Sequence, residues 1–283
     1  MQYVKKKDGT IVESQCETIK VTENTLTKVL QGKINASDFF VGYTGNDLTD
    51  ILEYDATKNI TNMDGMFNSC RNLTTVPLFD TSKVKDMSNM FIGCESIESV
   101  PQFNTPAVTN TVYMFSGCKK LITVPLFNTS NVTNMNSMFE GCWVLKEIPK
   151  FDTSKVTRMS NMFYNCDIVT VPLLDTSNVT NISAMFFSCN KLKEIPQFDF
   201  SKATIVSSIF YNCSNLEEIH CTGLKLSFDI SASTKFTESA LVEILNNLGT
   251  PTTSQTLTMG ATNLAKLTDE EKAIATDKGW TLK

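Results

Sequence analysis

Nine cysteines and a single histidine are the side chains of this 283-residue sequence best suited to metal, redox or nucleophilic chemistry. Cys213, His220 and Cys221 lie close enough along the chain to offer three ligands to zinc. A tetrahedral site needs a fourth, however, and the spacing fits no ligand pattern. Any Ser–His or Cys–His arrangement would have to use His220. There is no Gly-rich phosphate loop, nucleophile elbow or paired His–carboxylate motif. The expectation is a non-enzymatic protein, with no cofactor and no metal.

The cysteines have a different meaning. Cys70, Cys94, Cys118, Cys142, Cys166, Cys189 and Cys213 follow one another at intervals of 24, 24, 24, 24, 23 and 24 residues. Around each runs one pattern: Asp or Asn, Thr-Ser-x-Val-Thr-x-Met, two variable residues, Met-Phe, two more, Cys-x-x-Leu-x-x, Val or Ile, and Pro-x-Phe. Seven copies fill residues 55–223. A fixed period of this length is the mark of a solenoid, in which each unit buries its apolar face only against its neighbours. Val84, Met87, Met90, Phe91 and Cys94 fall at helical spacing, so an amphipathic helix is expected, with Ser82 as its N-cap. Ile97–Val100 reads as a short strand closed by Pro101. The fold class is therefore an α/β repeat solenoid of seven helix–strand repeats with α+β caps at both ends. The cysteines become a buried ladder of free thiols, their parallel direction and odd number arguing against disulfides.

The Met-Phe-x-x-Cys-x-x-Leu-x-x-Val/Ile-Pro run resembles the BspA-like, treponemal-type leucine-rich repeats. The Asp-Thr-Ser-x-Val-Thr-x-Met run before it is similar to the variant of low-GC bacteria and their phages. The resemblance implies a leucine-rich-repeat fold used for adhesion or recognition.

Residues 1–54 are expected to form an amino-terminal cap. It holds a hairpin turning at Asp8-Gly9 between Tyr3-Val4 and Ile11-Val12, and a short helix over Leu26, Val29 and Leu30 stopped by Gly32. Residues 224–283 form the second cap. Thr237 can cap a helix through Leu248, with Phe236 and Leu241 as a hydrophobic staple. Thr268 and Glu271 form a capping box for another helix, ended by Gly279 with Trp280 folding back on it. The run Ser254-Gln-Thr-Leu-Thr-Met-Gly-Ala-Thr-Asn-Leu-Ala-Lys-Leu-Thr, through Lys278-Gly-Trp, looks like the terminal module of such repeats in Firmicutes prophage and tail-region proteins.

A net charge of −5, with Lys5–Lys7 as the one cationic cluster, speaks against nucleic acid as a partner. No apolar run is long enough to span a bilayer, and Met1–Ser14 lacks a signal-like apolar region. A phage virion component, fibre or accessory protein, is the leading expectation, with the host surface or another virion subunit as partner. A bacterial adhesin or interaction protein is the alternative, its ligand a protein or a cell-surface glycan.

Two rows vary where the core rows do not. The first is Leu78, Gln102, Leu126, Lys150, Leu173 and Gln197 beside the prolines, with Thr75, Ser99, Thr123, Glu147, Thr170, Glu194 and Glu218 two residues before each proline or its replacement. It is expected to be exposed, as a contact face or as plain solvated positions. The second turns aromatic toward the carboxyl end at Tyr164, Phe187 and Tyr211, with Trp143 near it. It is either a contact patch or packing beneath the second cap.

Overall fold

The computed structural model describes residues 2–5, 11–14 and 60–283, residue 77 excepted. The expected helix over Leu26–Leu30 and the Asp8-Gly9 turn lie outside the described residues. The chain divides into two compact units, Met1–Leu145 and Lys146–Lys283.

In the first unit β1 (Gln2–Lys5) and β2 (Ile11–Ser14) pair antiparallel, Val4 opposite Val12. From residue 60 the unit is a stack of coils that replaces the expected helix with something tighter. Among the described residues of the repeats in both units there is no α-helix. The Met-to-Cys segment is instead a strip of overlapping turns. Met90, Ile92 and Cys94 donate their N–H groups three residues back, to Met87, Asn89 and Phe91. The alternate donors Met87, Asn89, Phe91 and Gly93 turn outward, to the carbonyls of Asn110, Val112, Met114 and Ser116 on the next coil, at 2.7–3.1 Å. A helix would satisfy these groups internally and leave nothing to join the coils. What breaks the helix is a left-handed residue twice per coil, Asn89 (φ 54°) and Gly93 (φ 71°), each at the third position of a turn that demands positive φ. Successive turns of three to four residues bury nearly the same stripe as a helix, which is why the sequence pattern reads as helical.

Ser82 is likewise not an N-cap. Asp80 Oδ1 accepts from both the amide and the hydroxyl of Ser82, closing a side-chain turn. Buried between them, Thr81 donates its hydroxyl to the Asn104 carbonyl of the next coil, as Thr105 does to Asn128. The Asp-Thr-Ser motif thus fixes a corner and ties it to its neighbour.

The expected strand is corrected too. Ile97, Val100 and Phe103 are buried, as are Leu121, Val124 and Phe127, so every third residue points inward. A pleated strand would alternate every second residue. One backbone bond, Ile122 N–H to Glu98 O at 2.9 Å, joins these segments between successive coils. Parallel bridges lie on the other side, through Asn62, Asp86, Asn110 and Asn134.

The core carries two files of stacked rings. Phe67, Phe91, Phe115 and Phe139 follow one another at 5.3–5.8 Å with nearly parallel planes, and Phe79, Phe103 and Phe127 at 5.8–6.1 Å. Beside the first file the thiols of Cys94, Cys118 and Cys142 donate to the carbonyls of Phe67, Phe91 and Phe115 at 3.1–3.2 Å.

The second unit repeats this scheme. Met159, Asn161, Phe163 and Asn165 donate to the coil of residues 181–187, and Cys189 and Cys213 donate to Phe163 and Phe186. Here the proline segment does form strands, β3 (Glu194–Ile195) and β4 (Glu218–Ile219), paired parallel. The cause is local. His220 stands where the other copies have proline, and its N–H supplies the missing bond to Ile195 O at 2.9 Å.

The unit closes with β5 (Phe228–Asp229), α1 (Glu238–Asn247), β6 (Gln255–Thr258), α2 (Ala261–Leu264), α3 (Asp269–Thr276) and β7 (Trp280–Leu282), the strands forming a parallel sheet in the order β5-β6-β7. Thr237 caps α1 by accepting from Ala240 N–H, and the Thr268–Glu271 capping box opens α3. Gly279 takes φ 92° two residues beyond the C-cap Asp277. The strand that Trp280 opens, β7, packs against α3, as expected. Trp280 itself lies edge-on to Phe228, with its indole N–H on the Gly249 carbonyl. The Lys278 ammonium, whose pKa burial lowers, caps α1 through the Leu245, Asn246 and Leu248 carbonyls.

Two outcomes are expected. Replacing Phe139 by Ala costs about 3–5 kcal/mol in denaturant unfolding, and a loss under about 1 kcal/mol would place that ring outside the core. The ladder thiols resist alkylation in the native protein, since burial pushes Cys166 and Cys213 up to about 12 and raises Cys94, Cys118 and Cys189. They label on denaturation without reductant; failure to label then would reveal disulfides.

Candidate functional site

Side chains freed by the three-residue period of the proline segment are the ones that face solvent. In the first unit Leu78 and Leu126 are 48% and 57% exposed, with Gln102 between them donating to Leu126 O at 2.8 Å. Thr75, Ser99 and Thr123 are exposed beside them. In the second unit Lys150, Leu173 and Gln197 are exposed, as are Glu147, Thr170, Glu194 and Glu218. A core facing these rows would hold unpaired polar groups at a cost of several kcal/mol, so their exposure follows from their chemistry.

The second unit adds relief to this face. A cavity of about 310 Å³ is lined by Lys150, Leu173, Asp175, Ser177 and Gln197. Another of about 420 Å³ is lined by Leu173, Glu194, Gln197, His220, Glu243 and Asn247. Leu173 and Gln197 border both.

The sequence reading weighed His220 only with Cys213 and Cys221, and it missed the carboxylates that surround the ring, Glu243 above all. The His220 ring, about a quarter exposed, places Nδ1 2.7 Å from Glu243 Oε1 and Nε2 3.1 Å from Glu218 Oε2, with Glu194 Oε1 3.6 Å away. Cys213 and Cys221 do not join it, being buried among apolar side chains. The donor group the fold assembles is Glu194, Glu218 and His220, among the described residues the one set that could hold a metal. Glu243 comes from α1, whose Ala240, Leu241, Ile244 and Leu245 face the core and leave Glu243 and Asn247, one turn apart, at the rim. The replaced proline was the available signal for His220. Glu243 had none, because only the folded chain brings α1 beside β4.

The aromatic residues form a surface ladder. Tyr164 and Phe187 stack at 4.6 Å, Phe187 and Tyr211 at 4.9 Å, and Tyr211 is 51% exposed, so the expectation of packing beneath the second cap gives way to mutual stacking. In the first unit Trp143, half-exposed, lies 4.9 Å beneath the Lys119 ammonium, which also pairs with Glu95 at 3.0 Å. Lys119 holds the Glu95 carboxyl below its ordinary pKa.

Coils with near-uniform buried files and variable exposed rows define a repeat protein of the leucine-rich type. The family described as "Mycoplasma protein of unknown function, DUF285" matches residues 34–147 and 121–223, and the chain belongs to it, as a BspA-like repeat protein. Among solved structures the chain is similar to one described as the crystal structure of a T. pallidum leucine-rich repeat protein. The two share 15% identity and a TM-score of 0.40, over 74% of this chain and 84% of that one. No curated protein matches it.

Glu243 first, then Glu218 and Glu194, raise the His220 pKa above 6.5 against the opposing effect of burial. A raised folded pKa means that the imidazolium stabilises fully below the unfolded value near 6.5. That contribution is lost as pH rises through the higher folded value. In chelator-treated protein, the melting-temperature difference between wild type and His220→Gln should therefore shrink between roughly pH 5 and 8. A difference flat across that range would mean the ring is not held by these carboxylates.

Proposed function

We propose that the chain is a non-enzymatic recognition protein whose exposed proline-segment rows contact a partner, a protein or a surface glycan. The observation that carries this reading is Leu173. An exposed leucine between two cavities, flanked by Lys150, Gln197 and Glu194, is an apolar anchor bounded by polar groups. Leu78 and Leu126 offer the same chemistry in the first unit. The interior of each coil is filled, so variation in these rows changes the surface without touching the fold. Membership of a repeat family of the protein-binding type supports the same reading.

The setting we propose is a phage particle, as a fibre or accessory component facing the host surface or another virion subunit. The likeness of the run from Ser254 to Trp280 to terminal modules of prophage tail-region proteins supports it. Immunogold imaging of purified particles, with antibody raised against the chain, tests the setting. Particles without label would remove it.

The face is tested separately. The double change Lys150→Glu and Leu173→Asp should weaken retention of the purified chain on whole cells at least about tenfold. Both positions are exposed, so the melting temperature should move by no more than a few degrees. Retention equal to wild type would shift the contact to the Tyr164, Phe187 and Tyr211 ladder.

A further inference from the structure

We propose that Glu194, Glu218 and His220 bind a divalent first-row transition cation, zinc being the best fit, with Glu243 as the residue that orients the histidine. This does not rest on the partner-binding reading, although both glutamates belong to the exposed row.

The first argument is electrostatic. Glu194 and Glu218 are directly paired across β3 and β4. Like charges placed opposite one another destabilise a pair of strands. In every other adjacent pair of this row at least one partner is Thr or Ser: Thr75, Ser99 and Thr123 in the first unit, and Glu147 beside Thr170 in the second. With Glu243 a third carboxylate faces the same imidazole, and the 420 Å³ cavity has no lysine or arginine in its lining. Even protonated, one imidazolium leaves this group with net negative charge. A divalent cation supplies twice that charge at one point.

The second argument is geometric. Ligand atoms bonded to zinc at about 2.0–2.2 Å in a tetrahedron lie roughly 3.3–3.6 Å from one another. His220 Nε2 is 3.1 Å from Glu218 Oε2 and 3.6 Å from Glu194 Oε1, and the three ligand atoms lie within 4.8 Å of each other. Small side-chain rotations suffice to receive an ion. The remaining position opens on the cavity, where water can fill it. Imidazole with carboxylates is a donor set for zinc and its neighbours rather than for calcium.

The third argument is the outer contact. A metal-bound histidine characteristically donates its other ring N–H to a carboxylate, which fixes the tautomer and strengthens the ligand. Glu243, 2.7 Å from Nδ1, is that carboxylate, and it leaves the Nε2 lone pair for the ion. Nε2, 3.1 Å from Glu218 Oε2, is where the cation would bind. His220 itself is the one departure from proline or its equivalent in this register, and it adds a ligand where two glutamates already meet.

The test uses the full chain, stripped with chelator and titrated with zinc chloride by calorimetry, and with cobalt(II) by absorption. One ion should bind per chain, and the cobalt complex should lack a thiolate charge-transfer band, which separates this site from the cysteines. His220→Gln, which keeps the backbone N–H, and Glu218→Gln should each lower zinc affinity at least about a hundredfold. Glu243→Gln, acting through His220, should lower it about 10–100-fold with the cobalt spectrum otherwise retained. The proposal is overturned by wild-type protein that binds no zinc saturably, by a thiolate band, or by affinity unchanged in His220→Gln or Glu218→Gln. Affinity unchanged in Glu243→Gln removes the orienting role alone.

Discussion

Alternate donation of backbone N–H groups, one inward to the same turn and the next outward to the following coil, is the constraint on which each unit rests. A single coil leaves Met87, Asn89, Phe91 and Gly93 without acceptors until the coil of residues 108–118 arrives. Backbone groups buried without partners are costly, so a coil is stable only in company. The same alternation imposes the left-handed residues, because the chain must reverse twice within seven residues to present every second amide to one side. Asparagine, serine and glycine dominate there, and Tyr113 at φ 56° is the bulkiest residue to accept it.

Strict register between coils then dictates the core. Equivalent atoms of successive coils lie one above another, so a phenylalanine at one position stacks on the phenylalanine of the next, and mixed residue types would break the file. The cysteine is fixed by the same geometry for a less obvious reason. The carbonyl of Phe91 accepts both the amide of Cys94 and the thiol of Cys118. Alanine would give up the second donor and leave space. The thiol is a small, weakly polar donor that tolerates burial. Its burial also raises its pKa, so the group that looked most reactive in the sequence is chemically quiet in the fold.

The repeat, the buried files and the exposed rows were legible, because each depends on period and residue type alone. What the period cannot give is backbone conformation. A stripe at Val84, Met87, Met90, Phe91 and Cys94 is common to a helix and to a strip of turns, and the hydrogen bonds that separate them run between residues about 23 apart. The caps on Thr237 and Thr268 were legible for the opposite reason, since capping is a contact within four residues. The further partners of Trp280, Phe228 and Gly249, were not legible because they are distant in sequence.

Where chemistry can enter such a structure follows from the same constraint. Positions fixed by the ladder vary only among a few buried residue types, and the exposed residues between every third buried one are free. At most coils proline keeps that segment from pairing and limits it to single contacts. At His220 the restriction lifts. Its amide completes β3 and β4, which brings Glu194 opposite Glu218, and its ring meets the helix that ends the array through Glu243. A neighbouring coil could not have supplied that carboxylate from behind the ring, because coils stack in register and present like positions to like. Only a terminal element with its own geometry can do so. The last repeat is thus the place in the second unit where side chains from two coils and a terminal helix converge, and where a repeat protein can hold a built site rather than a surface.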